Sequence, residues 1–270
     1  MSLTADAHSG LVMDTEVRVD KAEPAPGLDP SQETQLKEAL YRQMLSAVSH
    51  DLKTPLATII GSLEVYTLLE AKLSEEKRRS LITSALSEAY RLDKFITNIL
   101  DMAKLESRAV QPREETANLT PLIRDSITRL GPLKDKGEIR LHDLGGAEAF
   151  HTDTVLLSRV VGLIIENALK HTGKAPVVDI DYGASGEEAF VHVRDHGPGI
   201  PPDKMRAIFN KYTRLQKQDQ QNAGTGLGLS IAELIMTLLG GRIEVRNHPE
   251  TGAVFSLYVP VQLAPTGVER

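Results

Sequence analysis

Apolar residues recur every three or four positions at Leu36, Leu40, Met44, Leu45, Val48, Leu52, Leu56, Ile59, Leu63 and Tyr66. That spacing predicts one stripe along a long helix. Asp29-Pro30-Ser31-Gln32 reads as its start, with an N-cap Asp, Pro at the first helical position and Gln three residues after the cap. The helix is expected to reach about Leu69. Ser74 then caps a second helix, with Glu75 and Glu76 in the first turn and a stripe of Leu81, Ala85, Ala89, Leu92, Ile96, Ile99 and Ala103. So short a connection folds the two into an antiparallel hairpin, taken as residues 29–110. One hairpin cannot cover both stripes, whereas two copies in a twofold four-helix bundle can, so a homodimer is expected. Residues 1–28 are polar, contain Pro24, Pro26 and Gly27, and are expected to be a tail or linker.

After Pro112 the pattern changes. Thr120-Pro121 opens a helix carrying Leu122, Ile123, Ile127 and Leu130, and Asp153 opens another through Leu156, Val160, Leu163 and Ile164 to His171. Glu138–His142, Val177–Tyr182, Ala189–Asp195, Arg242–Asn247 and Val254–Val259 read as strands, and Ala147–His151 as a further candidate. A last helix is expected from about Gly226 to Leu239. Helices segregated from a mixed sheet give an α/β sandwich over residues 113–263. The fold class expected is therefore α+β, a long helical hairpin followed by this sandwich.

Composition narrows the class. The chain has 270 residues, a net charge of -6 and no cysteine. No disulfide framework or thiolate metal site is possible, and the absence of a dense basic run argues against a nucleic-acid surface. The apolar runs near Val160–Ile165 and Leu234–Leu239 fall far short of the ~20 residues that span a bilayer. The expectation is a cytoplasmic chain, soluble by itself or the cytoplasmic part of a membrane receptor, with no membrane contact of its own.

Two constellations carry candidate chemistry. Within the first helix, Ser49-His50-Asp51-Leu52-Lys53-Thr54-Pro55-Leu56 sets His50 about 160° from the apolar stripe, with Thr54 one turn on along the same outward face. Pro55 removes the helical partner of the Asp51 carbonyl at a usual cost of roughly 3 kcal/mol, making a candidate hinge beside an exposed imidazole. In the second domain, Glu166-Asn167-Ala168-Leu169-Lys170-His171 gathers an amide oxygen, a cation and an imidazole within about a turn. An amide oxygen with phosphate oxygens and water suits Mg²⁺. Asp195-His196-Gly197-Pro198-Gly199-Ile200 offers a carboxylate for an exocyclic amine and glycines for close approach to a flat ring. Gly224-Thr225-Gly226-Leu227-Gly228-Leu229 opens a helix, where free N–H groups suit polyphosphate. Asn210–Ala223, nearly free of apolar residues, reads as a lid. Each alone has a plainer reading: a surface histidine, an exposed helix Asn, a hairpin turn, packing glycines, a solvated loop.

Together they resemble the sensor histidine kinases of bacterial two-component signalling. The octet around His50 resembles their phosphoacceptor box. The other stretches resemble the N, G1 and G2 boxes and lid of the GHKL ATP-binding fold, with Phe209-Asn210-Lys211-Tyr212-Thr213-Arg214 as an F box and Thr251-Gly252-Ala253-Val254-Phe255 as a last glycine motif. The likeness covers about residues 36–260. It implies ATP bound with Asp195, Gly197 and Gly199 at the adenine and Asn167 on Mg²⁺. Lys170, His171 and Arg214, with the Gly224-Thr225-Gly226-Leu227-Gly228 turn, would lie at the phosphates. His50 would be the nucleophile and Asp51 would accept its Nδ1 proton. The phosphoryl group would pass to an aspartate of a response regulator receiver domain, which Thr54 would help to dephosphorylate. Leu163 stands where the family often has a second Asn, and Lys53 where Arg is common. Ser49–Glu64, with Gly61-Ser62, looks nearest to the potassium-sensing KdpD branch. The alternatives are a regulator phosphatase and a nucleotide-binding pseudokinase scaffold, the latter supported by Leu163 alone.

Overall fold

The computed structural model describes residues 17–18, 30–107, 109–146, 149–173, 175–211 and 226–261. After a two-residue strand β1 (Val17–Arg18), helix α1 (Pro30–Leu69) runs unbroken through Pro55. The Thr54 carbonyl one turn below His50 accepts the Thr58 hydroxyl at 3.2 Å. A single 3₁₀ turn, Glu70–Lys72, leads into α2 (Glu75–Glu106). Ser74 caps α2 by accepting the Lys77 N–H at 3.3 Å, which satisfies one of the donors that every helix start leaves over.

The buried side of α2 is shifted from the expected stripe. Ala85 is buried as expected, but Ile96, Ala89 and Ala103 are exposed, whereas Phe95, Asn98 and Met102 are buried. The reason is tertiary: Phe95 and Met102 join the same apolar cluster as the second domain. The side left open carries Leu56, Ile60 and Leu63 on α1 and Ile82, Leu86, Tyr90, Ile96 and Leu100 on α2.

The second domain begins with β2 (Glu115–Ala117) and α3 (Leu119–Arg129), followed by β3 (Glu138–Asp143) and β4 (Phe150–Thr152). It continues through α4 (Thr154–His171), β5 (Val177–Ser185), β6 (Glu188–Asp195), α5 (Gly228–Leu238), β7 (Arg242–Asn247) and β8 (Ala253–Pro260). The main sheet has the order β1-β7-β8-β6-β5-β3, with β3 and β5 parallel and the other pairs antiparallel. β2 and β4 make a separate two-stranded ribbon. Alternate residues such as Val178 and Ile180 of β5, Val191 and Val193 of β6, and Phe255 and Leu257 of β8 share one core with Val160, Ile164 and Ile165 of α4 and Ile231 and Ile235 of α5. Two-residue periodicity in the strands thus meets three-to-four-residue periodicity in the helices. Where α3 meets α4, the buried hydroxyls of Ser126 and Ser158 bond each other at 2.9 Å, so neither is left unpaired in the core.

The stretch expected to be tail or linker differs in one respect. Val17 and Arg18 pair antiparallel with Val245 and Glu244, adding β1 to the edge of the sheet. The alternation Glu16-Val17-Arg18-Val19-Asp20 carries that signal, and the pairing occupies an edge whose N–H and C=O groups would otherwise stand open. The rest of residues 1–28 and the Asp29 cap lie outside the described residues.

Candidate functional site

The helix starts separate structural ends from a candidate anion site. Asn118 caps α3 through the Thr120 N–H at 2.9 Å. Asp153 caps α4 through the Leu156 N–H at 2.9 Å, while its other oxygen accepts the Arg113 N–H at 2.8 Å. At α5 the N-cap is Leu227, whose side chain offers no acceptor. Gly226, with φ 67, turns the chain into this helix start. Leu227 is buried and anchors the turn in the core. Gly228 packs beside α4, where an added Cβ would meet Leu163 Cδ2 at 3.7 Å. The α5 start and the α4 stretch carrying Asn167 are thus neighbours. Gly224, Thr225 and Arg214, with most of the expected lid, lie outside the described residues.

Asp195 ends β6 and is buried at 6% exposure. Its Oδ1 accepts the N–H of Gly197 at 2.8 Å and of Ala253 at 3.3 Å, which fixes the carboxylate and leaves Oδ2 to meet a ligand. The surrounding glycines are sterically required. A Cβ at Gly197 would lie 2.9 Å from Asp195 Oδ1 and 3.0 Å from the His171 carbonyl. One at Gly252 would lie 1.8 Å from the Asp195 carbonyl oxygen. Gly199 has φ 75 and backs onto Asn247. The Asn247 amide grips Ile200 at both ends, accepting its N–H at 2.8 Å and donating to its carbonyl at 2.8 Å. Asn247 was not among the expected residues; it ends an ordinary-looking strand, and nothing local marks it. Asp179 of β5 meets His196 Nε2 at 2.7 Å beside the same turn. The cradle is polar at one buried carboxylate and closed to side chains at its glycines, which fits a flat heterocycle carrying an amine.

On α4, Asn167 is half-buried and His171 exposed. Lys170 bonds Glu166 Oε1 at 2.6 Å. Glu166 Oε2 is taken by Lys94, from α2. Burial pushes the Glu166 carboxyl up, but Lys170 and Lys94 together outweigh it and hold the group below the usual carboxylate range. Among the described residues no cluster of three or more His, Cys, Asp or Glu side chains could cage a metal. One amide oxygen at Asn167 would fit Mg²⁺ only together with ligand phosphate oxygens and water, since this ion keeps several waters and seldom uses an all-protein cage.

The two units touch where α2 packs on α5 and reaches α4 through ion pairs. Arg159 bonds Asp101 at 2.5 Å, Lys94 bonds Glu166, and Lys211 bonds Glu106. Rising numbers on α2 meet falling numbers on α4, so the two helices run antiparallel. On α1, His50 falls within the helix, its side chain outside the described residues; Asp51 is half-buried and Thr54 exposed. Between α1 and α2 lies a groove of about 930 Å³, walled by Thr54 and Thr58 on one side and Glu76, Arg79, Thr83 and Ser87 on the other. No helix among the described residues is long and apolar enough to cross a membrane.

Residues 40–108 match the His Kinase A (phospho-acceptor) domain, and residues 152–263 match the histidine kinase-, DNA gyrase B-, and HSP90-like ATPase. The sensor protein KdpD of Escherichia coli (strain K12) is 33% identical over 231 residues, which are 85% of this chain and 25% of that protein. The chain therefore spans about a quarter of the length of this curated relative. Full-length ShkA in complex with AMPPNP aligns with TM-score 0.59 and 25% identity over 82% of this chain and 46% of that one. The histidine kinase ThkA in complex with the response regulator protein TrrA has the same fold, with TM-score 0.66 and 21% identity over 86% of this chain and 65% of that one. With a phosphoacceptor hairpin followed in one polypeptide by a GHKL-type ATPase domain, the chain belongs to the two-component sensor histidine kinases.

Proposed function

We propose that the chain is a kinase core that moves the γ-phosphoryl group of ATP to His50 and then to an aspartate of a response regulator, which it also dephosphorylates. The observation that carries this reading is the pairing, in one polypeptide, of the His50 octet on α1 with the Asp195 cradle of a domain packed on α2. The relative KdpD, the AMPPNP complex of ShkA and the regulator complex of ThkA support it.

Asp195 would read the adenine amine through Oδ2, held in line by the Gly197 and Ala253 N–H groups on Oδ1. The α5 start would hold phosphates through its first N–H groups, which the N-cap residue Leu227 has no side-chain acceptor to take. Asn167 would hold Mg²⁺, which supplies charge neutralisation at the phosphates. Asp51 would hold the proton on Nδ1 of His50, leaving Nε2 to form the bond to phosphorus as ADP departs. Direct neighbours on a helix diverge by about 100°, so Asp51 must reach back along its own turn.

The groove walled by Thr54 and Thr58 would seat the receiver domain, with the Thr54 hydroxyl turned to its acyl phosphate. The exposed apolar side of the hairpin, from Leu56 to Leu63 and from Ile82 to Leu100, supports a homodimer. The core would work on the cytoplasmic side, where ATP is available. The reading is tested by labelling the chain with γ-labelled ATP and then adding a receiver domain. Label should leave the kinase for the receiver; label that never appears, or never moves, counts against it.

A further inference from the structure

Glu166 is shared between two cations from different parts of the fold. Lys170, one turn along its own helix, takes Oε1 at 2.6 Å, and Lys94, from the hairpin, takes Oε2. With α2 in place the Glu166 side chain is only 12% exposed, and there a carboxylate is costly to leave without a cation. Undocked from α2, Glu166 has Lys170 as its remaining cation, and the pair is neutral. Docked, Glu166 keeps Lys94 when Lys170 turns away, and the three groups together carry one net positive charge.

The docked arrangement does not depend on this pair alone. Arg159, seven residues before Glu166 on α4, bonds Asp101, seven residues after Lys94 on α2. Two antiparallel helices are thereby stitched at points two turns apart. Lys211 bonds Glu106 farther along α2, and Phe95 and Met102 supply apolar contact between the stitches.

We propose that Lys94, on the helical hairpin, is a positioning residue of the nucleotide site: by sharing Glu166 it releases Lys170 to the polyphosphate, so nucleotide binds more tightly while the ATP-binding domain is docked on α2. This rests on the reading above that Lys170 faces phosphates. By linkage, nucleotide then strengthens docking by the same factor that docking strengthens nucleotide binding.

The test is calorimetric titration of the intact chain with Mg²⁺-AMP-PNP and, separately, with adenosine, which lacks phosphates. Lys94→Met should weaken AMP-PNP binding by about five-fold or more, the lower end of usual coupling between sites, and leave adenosine unchanged. Lys94→Arg should restore the affinity. In a Glu166→Gln background, where Lys170 is already released, Lys94→Met should change nothing. An unchanged AMP-PNP affinity in Lys94→Met overturns the proposal. So does an equal loss in the Glu166→Gln background, which would mean that Lys94 acts without Glu166. A matching loss of adenosine binding overturns it too, by marking a general disturbance of the fold. A wild-type chain that binds neither ligand overturns the nucleotide-site reading itself, and this inference with it.

Discussion

Gly252 is the position where a single methyl group does most harm to the nucleotide cradle. Its φ of +86 lies in the left-handed region, and an added Cβ would lie 1.8 Å from the carbonyl oxygen and 2.7 Å from the carbonyl carbon of Asp195. The conformational part of Gly252→Ala costs ~1–2 kcal/mol. Backbone cannot rotate away as a side chain can, so relieving the overlap shifts the β6 end by more than ~1 Å and adds ~1–3 kcal/mol. The sum is ~2–5 kcal/mol. Gly186 separates the two parts: its φ is +63, yet nothing lies within 4 Å of its Cβ position. Gly186→Ala should cost only the ~1–2 kcal/mol of backbone strain. At ~2–4 °C per kcal/mol, scanning calorimetry should find a melting temperature lower by ~4–20 °C for Gly252→Ala and by ~2–8 °C for Gly186→Ala. Because the overlap falls on Asp195, Gly252→Ala should also weaken AMP-PNP binding, and Gly186→Ala should not. Equal stability losses in the two variants, or an intact nucleotide affinity in Gly252→Ala, would refute the packing argument.

Asp195→Asn should lose nucleotide affinity with little change in melting temperature, because an amide can present N–H where the adenine amine needs an acceptor; unchanged affinity by titration would remove Asp195 from that role. Asp51→Ala should slow autophosphorylation by ~10²–10⁴-fold, as expected for a lost general base. Thr54→Ala should leave autophosphorylation nearly intact and slow dephosphorylation of the regulator, read with a purified receiver domain. A Thr54→Ala variant that loses autophosphorylation but keeps phosphatase activity would reverse that assignment.

Most elements were legible because each is governed by a local rule. The Ser74 and Asp153 caps sit where short polar side chains precede apolar stripes, and the alternation of β5, β6 and β8 follows from one face packing on helices. The candidate site was legible where chemistry and backbone constraint coincide, as at Asp195, Gly197 and Gly252. What escaped was set by tertiary contact. The α2 stripe slipped from Ile96 and Ala103 to Phe95 and Met102 because a second domain packs there, and no periodicity within a helix announces which neighbour will cover it. Glu166 stood beside Asn167 in plain view, but its partner Lys94 lies in another unit, seventy-two residues away. Asn247 acts through a bond to Ile200 across the turn that follows Asp195, a contact that only the folded sheet creates. The strand at Val17–Arg18 escaped for a different reason: the alternation that marks it, Glu16 to Asp20, is one short run inside an otherwise polar stretch.

His50 should receive phosphate from ATP bound at the Asp195 cradle. The direct measurement is incubation of the purified chain with γ-labelled ATP and Mg²⁺, followed by acid and alkali treatment of the labelled protein, in parallel with His50→Gln. The label should be lost in acid and stable in alkali, and absent from His50→Gln although that variant still binds AMP-PNP. An acid-stable label, or undiminished labelling of His50→Gln, would contradict it.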